Sequence, residues 1–293
     1  NTFLQGVLEK NNLLDIMRNF LLFEGGIKKV CRYQQFRAVN KALTRIISGK
    51  SSISRGGVIW HTQGSGKSLT MVFLARKLRR IKELEDSTIV VVTDRVDLDK
   101  QIYQTFIRTL STITTPVRAD SVAKLKELLE LARPQIIMTT IHKFQSDKEE
   151  KEILKDDKQI TNLQYDKQFP VLTTKTNVII LTDEAHRSQY KGMAKNMRDA
   201  LPNAAFLGFT GTPIDKKDKS TKRTFGSYID KYGIKDAVAD GATVKIVYEG
   251  RKPDLQIKAD TLEELFNEAF DGRNEEEKEA IKQKYANKRA IIE

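Results

Sequence analysis

Five short stretches of this chain are apolar on both faces: GVIW (57–60), TIVVVT (88–93), QIIMTT (135–140), NVIILT (177–182) and AFLGFT (205–210). A strand with one wet face alternates apolar and polar residues, so a run without alternation must be covered on both sides. Helix-like stretches at 68–82, 97–110 and 121–132 separate these runs. Strands and helices in that alternation pack as an open α/β domain, a mostly parallel sheet flanked by helices. The chain's 293 residues suffice for one large domain of this kind, or for one domain and part of another.

The flanks are less regular. Residues 11–24, NNLLDIMRNFLLFE, space apolar side chains three and four apart and read as an amphipathic helix that ends at Gly25-Gly26. A second helix places Phe36, Val39, Leu43 and Ile46 or Ile47 on one face and stops at Gly49. Between Ser146 and Thr176 the pattern dissolves into a charged, aperiodic segment, read as a solvated insertion between two strands, with a DNA-contacting insertion as the alternative. After Pro213 comes a basic loop. The following YIDKYGIKDAVADGATVKIVYEGRK reads as a helix, a glycine turn and a strand, and 261–293 is helical in composition.

Lys and Arg number 51 against 39 Asp and Glu, a net charge of +12 that attracts polyanions and makes nucleic acid a candidate partner. The lone Cys31 excludes an internal disulfide and a cysteine-rich metal site, and suits a reducing cytoplasm. No apolar run is long enough to span a bilayer, so no membrane role is expected. The chain opens on Asn1 without a signal-peptide pattern, which reads as an excised or partial fragment.

One loop carries chemistry. After GVIW comes HTQGSGKSL (61–69), and then a helical stretch. In a phosphate-binding loop a glycine-rich turn between strand and helix aims backbone N–H groups and the helix N-terminus at phosphate oxygens. Gly64, Ser65 and Gly66 supply the turn, Lys67 the charge that reaches the β and γ phosphates, and Ser68 a hydroxyl for Mg2+. The usual pattern begins with glycine where this chain has His61. That histidine is either a core residue at the strand end or a group facing nucleotide or a neighbouring motif.

A metal partner stands at the end of another apolar run, VIILTDEAH (178–186). Phosphoryl transfer to water needs Mg2+ near the loop serine and a group that orients or deprotonates the water. Asp183 suits the metal and Glu184 the water; by themselves the two would simply cap a helix.

With GSGKS, DEAH and FTGTP (209–213) in this order on successive strands, the chain resembles superfamily 2 helicases and translocases. YQQFRA (33–38), VVTDRVDLDKQ (91–101) and TTIHKFQ (139–145) look like the adenine-reading glutamine motif and the two backbone-gripping motifs of that superfamily. The wording of these motifs, histidine at the loop's first position included, is most similar to the motor subunit of type I restriction–modification enzymes. The resemblance implies a RecA-like P-loop domain that uses ATP and Mg2+, tracks double-stranded DNA, and works with methylation and specificity subunits. It assigns Gln35 to adenine, Lys67 and Ser68 to phosphate and Mg2+, and Asp183 and Glu184 to hydrolysis. His186, Thr210 and Thr212 become coupling residues, and Arg95, Thr140, His142 and Lys143 contacts to the DNA backbone.

The expected organisation is an N-terminal linker (1–30) after an absent nuclease domain, a first motor domain (31–225), and the start of a second lobe or linker (226–293). No second-lobe motif supplies the arginines that complete such a site, so weak hydrolysis is expected of this chain alone. Pro253-Asp254 with Glu276-Glu277-Lys278 imitates a nuclease signature, but its second half sits in a helix-like run where strands are needed. The alternatives are an RNA helicase, and a DNA-binding module inactive in isolation.

Overall fold

The computed structural model describes residues 6–94, 96–110, 114–144, 170–184, 191–213, 215–216, 219–245, 272, 274 and 276–278. The chain divides into a compact unit of residues 1–245 and a second of 246–293. In the second, the described residues include a helical turn at 276–278, where Asn274 Oδ1 accepts from the Glu277 N–H.

The first unit is built on a seven-stranded sheet. Its strands are β3 (Gly57–His61), β4 (Thr88–Thr93), β5 (Val117–Arg118), β6 (Ile136–Thr140), β7 (Val178–Asp183), β8 (Ala205–Thr210) and β11 (Tyr228–Tyr232), in the spatial order β11-β3-β8-β7-β4-β6-β5. Every neighbouring pair is parallel. All five apolar runs are strands of this sheet, and the residues of β4, β6, β7 and β8 are buried throughout.

Alternation within each strand decides which layer a residue joins. On β4, Ile89 and Val91 pack with helices α2 (Tyr33–Ser48), α4 (Lys67–Leu78) and α5 (Val96–Leu110) on one face. Val90 and Val92 pack with α6 (Val122–Leu131) and α7 (Lys191–Ala200) on the other. The result is a three-layer RecA-like α/β domain, with helix on both faces as the unalternating strands require.

Three expectations change. Residues 11–24 are not one helix: α1 (Lys10–Asn19) ends at Phe20, and Leu21–Glu24 (β1) pairs antiparallel with Ile27–Val30 (β2). Gly25 and Gly26 have φ of 58° and 81°, the two positive values of a tight hairpin turn, so this Gly-Gly pair closes a hairpin, and the helix has already ended at Phe20. Fully buried Phe20 and Leu22 anchor the hairpin to the core. The second change concerns 228–239: Tyr228–Tyr232 is a strand, and the helix α9 (Ile234–Ala239) follows it. Alternation there is masked by a register shift between Tyr228 and Asp230, which leaves Ile229 and Asp230 consecutively buried. Third, β11 extends the sheet beyond residue 225, the expected end of the first motor domain, and the unit closes at Lys245.

The described residues of the unit also form a short helix α3 (Ser52–Arg55), a two-residue ribbon β9 (Asp215–Lys216) with β10 (Lys219–Ser220), and a helix α8 (Thr221–Phe225). The charged segment 146–176 lies mostly outside the described residues, as does Pro253-Asp254. Among the described residues no helix is long and apolar enough to cross a membrane. Cys31 is half-buried beside the core, and burial, with the Asp15 carboxylate, pushes its thiol up to about 11, which keeps it an unreactive thiol.

Candidate nucleotide site

The carboxyl ends of β3, β8 and β7 lie side by side, with Trp60 opposite Thr210 and Asp183 opposite Phe209. That edge is where open α/β sheets place ligands. β3 feeds the loop 62–66 and then α4, which starts at Lys67.

The loop needs its glycines for separate reasons. Gly64 and Gly66 have φ of 77° and 84°, a left-handed conformation costly for other residues. At Gly66 space is short as well, since a Cβ would lie 2.7 Å from Gln35 Nε2. Ser65 is buried and its hydroxyl donates to the Thr62 carbonyl at 2.6 Å, which tightens the turn. The Gly66 carbonyl accepts from the Thr70 N–H at 3.0 Å, from the Thr70 hydroxyl at 3.2 Å and from Gln35 Nε2 at 3.0 Å. Gln35 also accepts the Arg32 N–H at 2.8 Å. Both ends of the Gln35 amide are thus engaged by protein, and this residue, assigned to adenine from sequence, braces the phosphate loop.

Lys67 points across the loop to the TGT turn: a Cβ on Gly211 would lie 3.4 Å from Lys67 Nζ. Trp60 Nε1 donates to the Gly211 carbonyl at 3.1 Å, and the Thr210 hydroxyl, fully buried, accepts the Thr212 N–H at 3.1 Å. Thr212 itself is exposed.

Asp183 is 6% exposed and its carboxyl is pushed up to about 6, first by burial and then by the Glu184 carboxylate, with the Lys67 charge opposing. Asp183 Oδ1 and the neighbouring Thr182 Oγ1 are buried with no hydrogen-bond partner among the described residues. A buried carboxylate oxygen without a donor fits a cation: Mg2+ takes one or two carboxylates and completes its shell with water and phosphate. Among the described residues no cluster of three or more His, Cys, Asp or Glu offers an all-protein cage. Glu184 has φ 49°, rare for a residue with a side chain and the kind of strain that collects at working sites.

The remaining assignments divide. Thr140, at the end of β6, is buried, and His142 and Lys143 lie in the 3-10 turn (Ile141–Lys143) that follows. Burial lowers His142's affinity for a proton while the Asp94 charge opposes it, so His142 sits against Asp94, the acid of the TDR segment. Asn196 on α7 donates to the Phe144 carbonyl at 3.0 Å and holds this turn. Arg95 and His186 lie outside the described residues.

His61 faces protein. It is fully buried, and its Nε2 lies 3.0 Å from Asp230 Oδ2 on β11. Asp230 also takes Arg37 Nε at 2.8 Å, Arg37 Nη2 at 2.9 Å and Lys41 Nζ at 2.9 Å. Burial works against the charge on Asp230, but the donors His61, Arg37 and Lys41 outweigh it and hold the carboxyl well below the ordinary carboxylate range. Asp230, Asp94, Asn196 and Trp60 were not singled out from sequence. Local signals existed for two of them: Trp60 is the sole tryptophan and the last residue of an apolar run, and Asp94 lies inside the VVTDRVDLDKQ motif.

Sheet, loop and carboxylates together define a RecA-like P-loop domain. The chain belongs to the SWI2/SNF2 ATPase family, whose model matches residues 34–279, and that membership implies the use of ATP. Its curated relatives are type I restriction enzyme endonuclease subunits, as the motifs had implied. The HindI subunit of Haemophilus influenzae is 41% identical over 297 residues, covering 94% of this chain and 26% of that protein. A Methanocaldococcus jannaschii protein described as a "Putative type I restriction enzyme MjaIXP endonuclease subunit" is 38% identical over 296 residues, covering 99% of this chain and 26% of that one. The chain thus spans about a quarter of the length of these relatives. A solved structure of a nuclease-deletion mutant of the type ISP restriction-modification enzyme LlaGI, in complex with a DNA substrate mimic, matches 73% of this chain and 21% of that chain with a TM-score of 0.47 at 16% identity.

Proposed function

We propose that the chain is the first motor lobe of a type I restriction endonuclease subunit, an ATP-driven translocase of double-stranded DNA. The observation that carries the reading is the meeting of Lys67, Gly211 and the Asp183-Glu184 pair at the carboxyl ends of adjacent parallel strands. The residues after Lys245 begin the second lobe or the linker to it, and the work takes place in the cytoplasm with methylation and specificity subunits.

In this reading the backbone N–H groups of the loop and the N-terminus of α4 cradle the phosphates of ATP, and Lys67 neutralises their charge. Ser68 and Asp183 hold Mg2+, which supplies further charge neutralisation where phosphate oxygens gather. Glu184, whose backbone is already bent into position, orients the attacking water. The buried Thr210 hydroxyl and the exposed Thr212 flank Gly211, which lies beside Lys67 Nζ, and pass nucleotide state to the DNA grip, with His186 as a relay. Arg95, Thr140, His142 and Lys143 belong to that grip. A second-lobe arginine is worth roughly three to five orders of magnitude in related phosphoryl transfer, so the isolated chain hydrolyses ATP weakly.

The test is ATP hydrolysis by the full-length subunit assembled with its methylation and specificity subunits, on duplex DNA with the unmodified recognition site and on RNA. Stimulation by duplex DNA, abolished by Lys67→Ala, is expected. Stimulation by RNA alone would replace this reading with an RNA helicase, and no hydrolysis on either would leave a binding module.

A further inference from the structure

The first residue of the phosphate loop and the buried aspartate of the edge strand are joined by a contact that the hydrolytic chemistry does not use. His61 ends β3, and its register partner on β11 is Tyr232. The next residue of the loop, Thr62, donates its N–H to the Tyr232 carbonyl at 2.9 Å. Side chains repeat the tie, with His61 Nε2 3.0 Å from Asp230 Oδ2 and the Tyr232 ring edge-on to the imidazole at 5.8 Å. A carboxylate only accepts, so Nε2 carries the hydrogen in this contact.

Asp230 is saturated. Its Oδ1 takes Arg37 and Lys41 and its Oδ2 takes Arg37 and His61, while its side chain is 1% exposed. Arg37 and Lys41 stand on α2, the helix whose Gln35 holds the Gly66 carbonyl at the far end of the same loop. One helix therefore grips the loop at both ends, directly at Gly66 and through Asp230 at His61. From β11 the connection continues: Tyr232 and Tyr33 both donate to Asp240 Oδ2, at 2.9 and 2.7 Å. Asp240 caps α9, and Lys245 closes the unit five residues later.

We propose that His61 and Asp230 form a positioning latch: together they set the start of the phosphate loop and tie its conformation to β11 and α9, the segment by which the chain leaves this lobe. Neither touches nucleotide. A glycine at position 61 would leave Asp230 Oδ2 with Arg37 as its sole donor and remove the side-chain half of the tie, with only backbone pairing left between the loop's start and the edge strand. The histidine that departs from the common loop pattern is then a coupling device between the loop and the exit from the lobe.

The inference rests on the proposed ATPase reading and is tested in the same full-length, DNA-stimulated complex. His61→Gln and His61→Leu decide it, because a glutamine amide reaches the place of Nε2 and donates, whereas leucine fills the space without donating. His61→Gln keeps kcat near that of the unaltered protein. His61→Leu lowers kcat by about 10- to 100-fold, the scale for reacting groups displaced by about 1 Å, with KM for ATP moving less. Asp230→Asn lowers kcat in the same way, and the double variant His61→Leu/Asp230→Asn is no worse than the poorer single one, because both changes open one latch. If Leu is as active as Gln, or if kcat falls only in proportion to the folded fraction seen in thermal melts, His61 is merely core and the latch is wrong. Should Asp230→Asn fail to fold, the Gln and Leu pair still decides. Lys67→Ala runs alongside: retained hydrolysis there overturns the ATPase reading itself, whatever position 61 shows.

Discussion

Asp183 on β7 and Asp230 on β11 are buried to similar degrees, 6% and 3% exposed, and meet opposite surroundings. Four contacts from His61, Arg37 and Lys41 saturate Asp230 and stabilise its charge. Asp183 keeps one oxygen without a donor among the described residues and stands beside Glu184, so burial prevails and its carboxyl rises to about 6. A buried carboxylate that the fold satisfies is part of the frame, while one left unsatisfied stores a cost that a ligand can relieve. The same residue type is thus satisfied by protein at one edge of the sheet and, near its middle, left with an oxygen that finds no donor among the described residues.

The comparison can be broken at several strengths. The largest effect is expected at the waiting site: Asp183→Asn lowers DNA-stimulated hydrolysis by about 1,000-fold, the upper end for removing one preorganised charge-stabilising group, while circular dichroism stays unchanged. An active variant would mean that Asp183 holds nothing. Next comes Asp230→Ala, expected to cost about 2–3 kcal/mol in denaturant unfolding, less than the roughly 3–5 typical of a fully buried pair because Arg37 and Lys41 keep access to water. A loss under about 0.5 kcal/mol would deny Asp230 its place in the frame.

Asp183→Asn also predicts a gain in stability. The carboxyl's affinity for protons is higher in the folded state, so the fold bears no cost from it below about pH 4, where it is protonated folded or unfolded, and the full cost above about pH 6. The variant should therefore gain on the order of 2 kcal/mol at pH 8 without Mg2+ and nothing at pH 4. A gain that is equal at both pH values would separate the stabilisation from the charge. The smallest effect is Trp60→Phe, which removes the donor to the Gly211 carbonyl and should cost about 1 kcal/mol. Its thermal midpoint and its KM for ATP show whether the TGT turn depends on that bond.

Much of the fold was legible because the strands are buried on both faces and carry no alternation to confuse them. The placement of the glycine loop and of Asp183-Glu184 at the carboxyl ends of strands was legible because each directly follows an apolar run. The hairpin at 21–30 was misread because LLFE continues the three-and-four spacing of α1, and only pairing across Gly25-Gly26 separates strand from helix. β11 was misread because its bulge breaks the alternation by which a strand is recognised.

What the sequence by itself determined is therefore local: the α/β layering, the glycines that let the loop turn, and the lysine and carboxylates at strand ends. Hydrophobic period and backbone geometry act over a few residues, and those can be read in order along the chain. The tertiary structure alone decided that Asp230 is held by His61, Arg37 and Lys41, and that the unusual His61 faces protein. Those answers depend on partners as far apart as His61 and Asp230, 169 residues along the chain. The donors around a buried carboxylate are set by which strands the sheet brings together, and no local pattern encodes that neighbourhood.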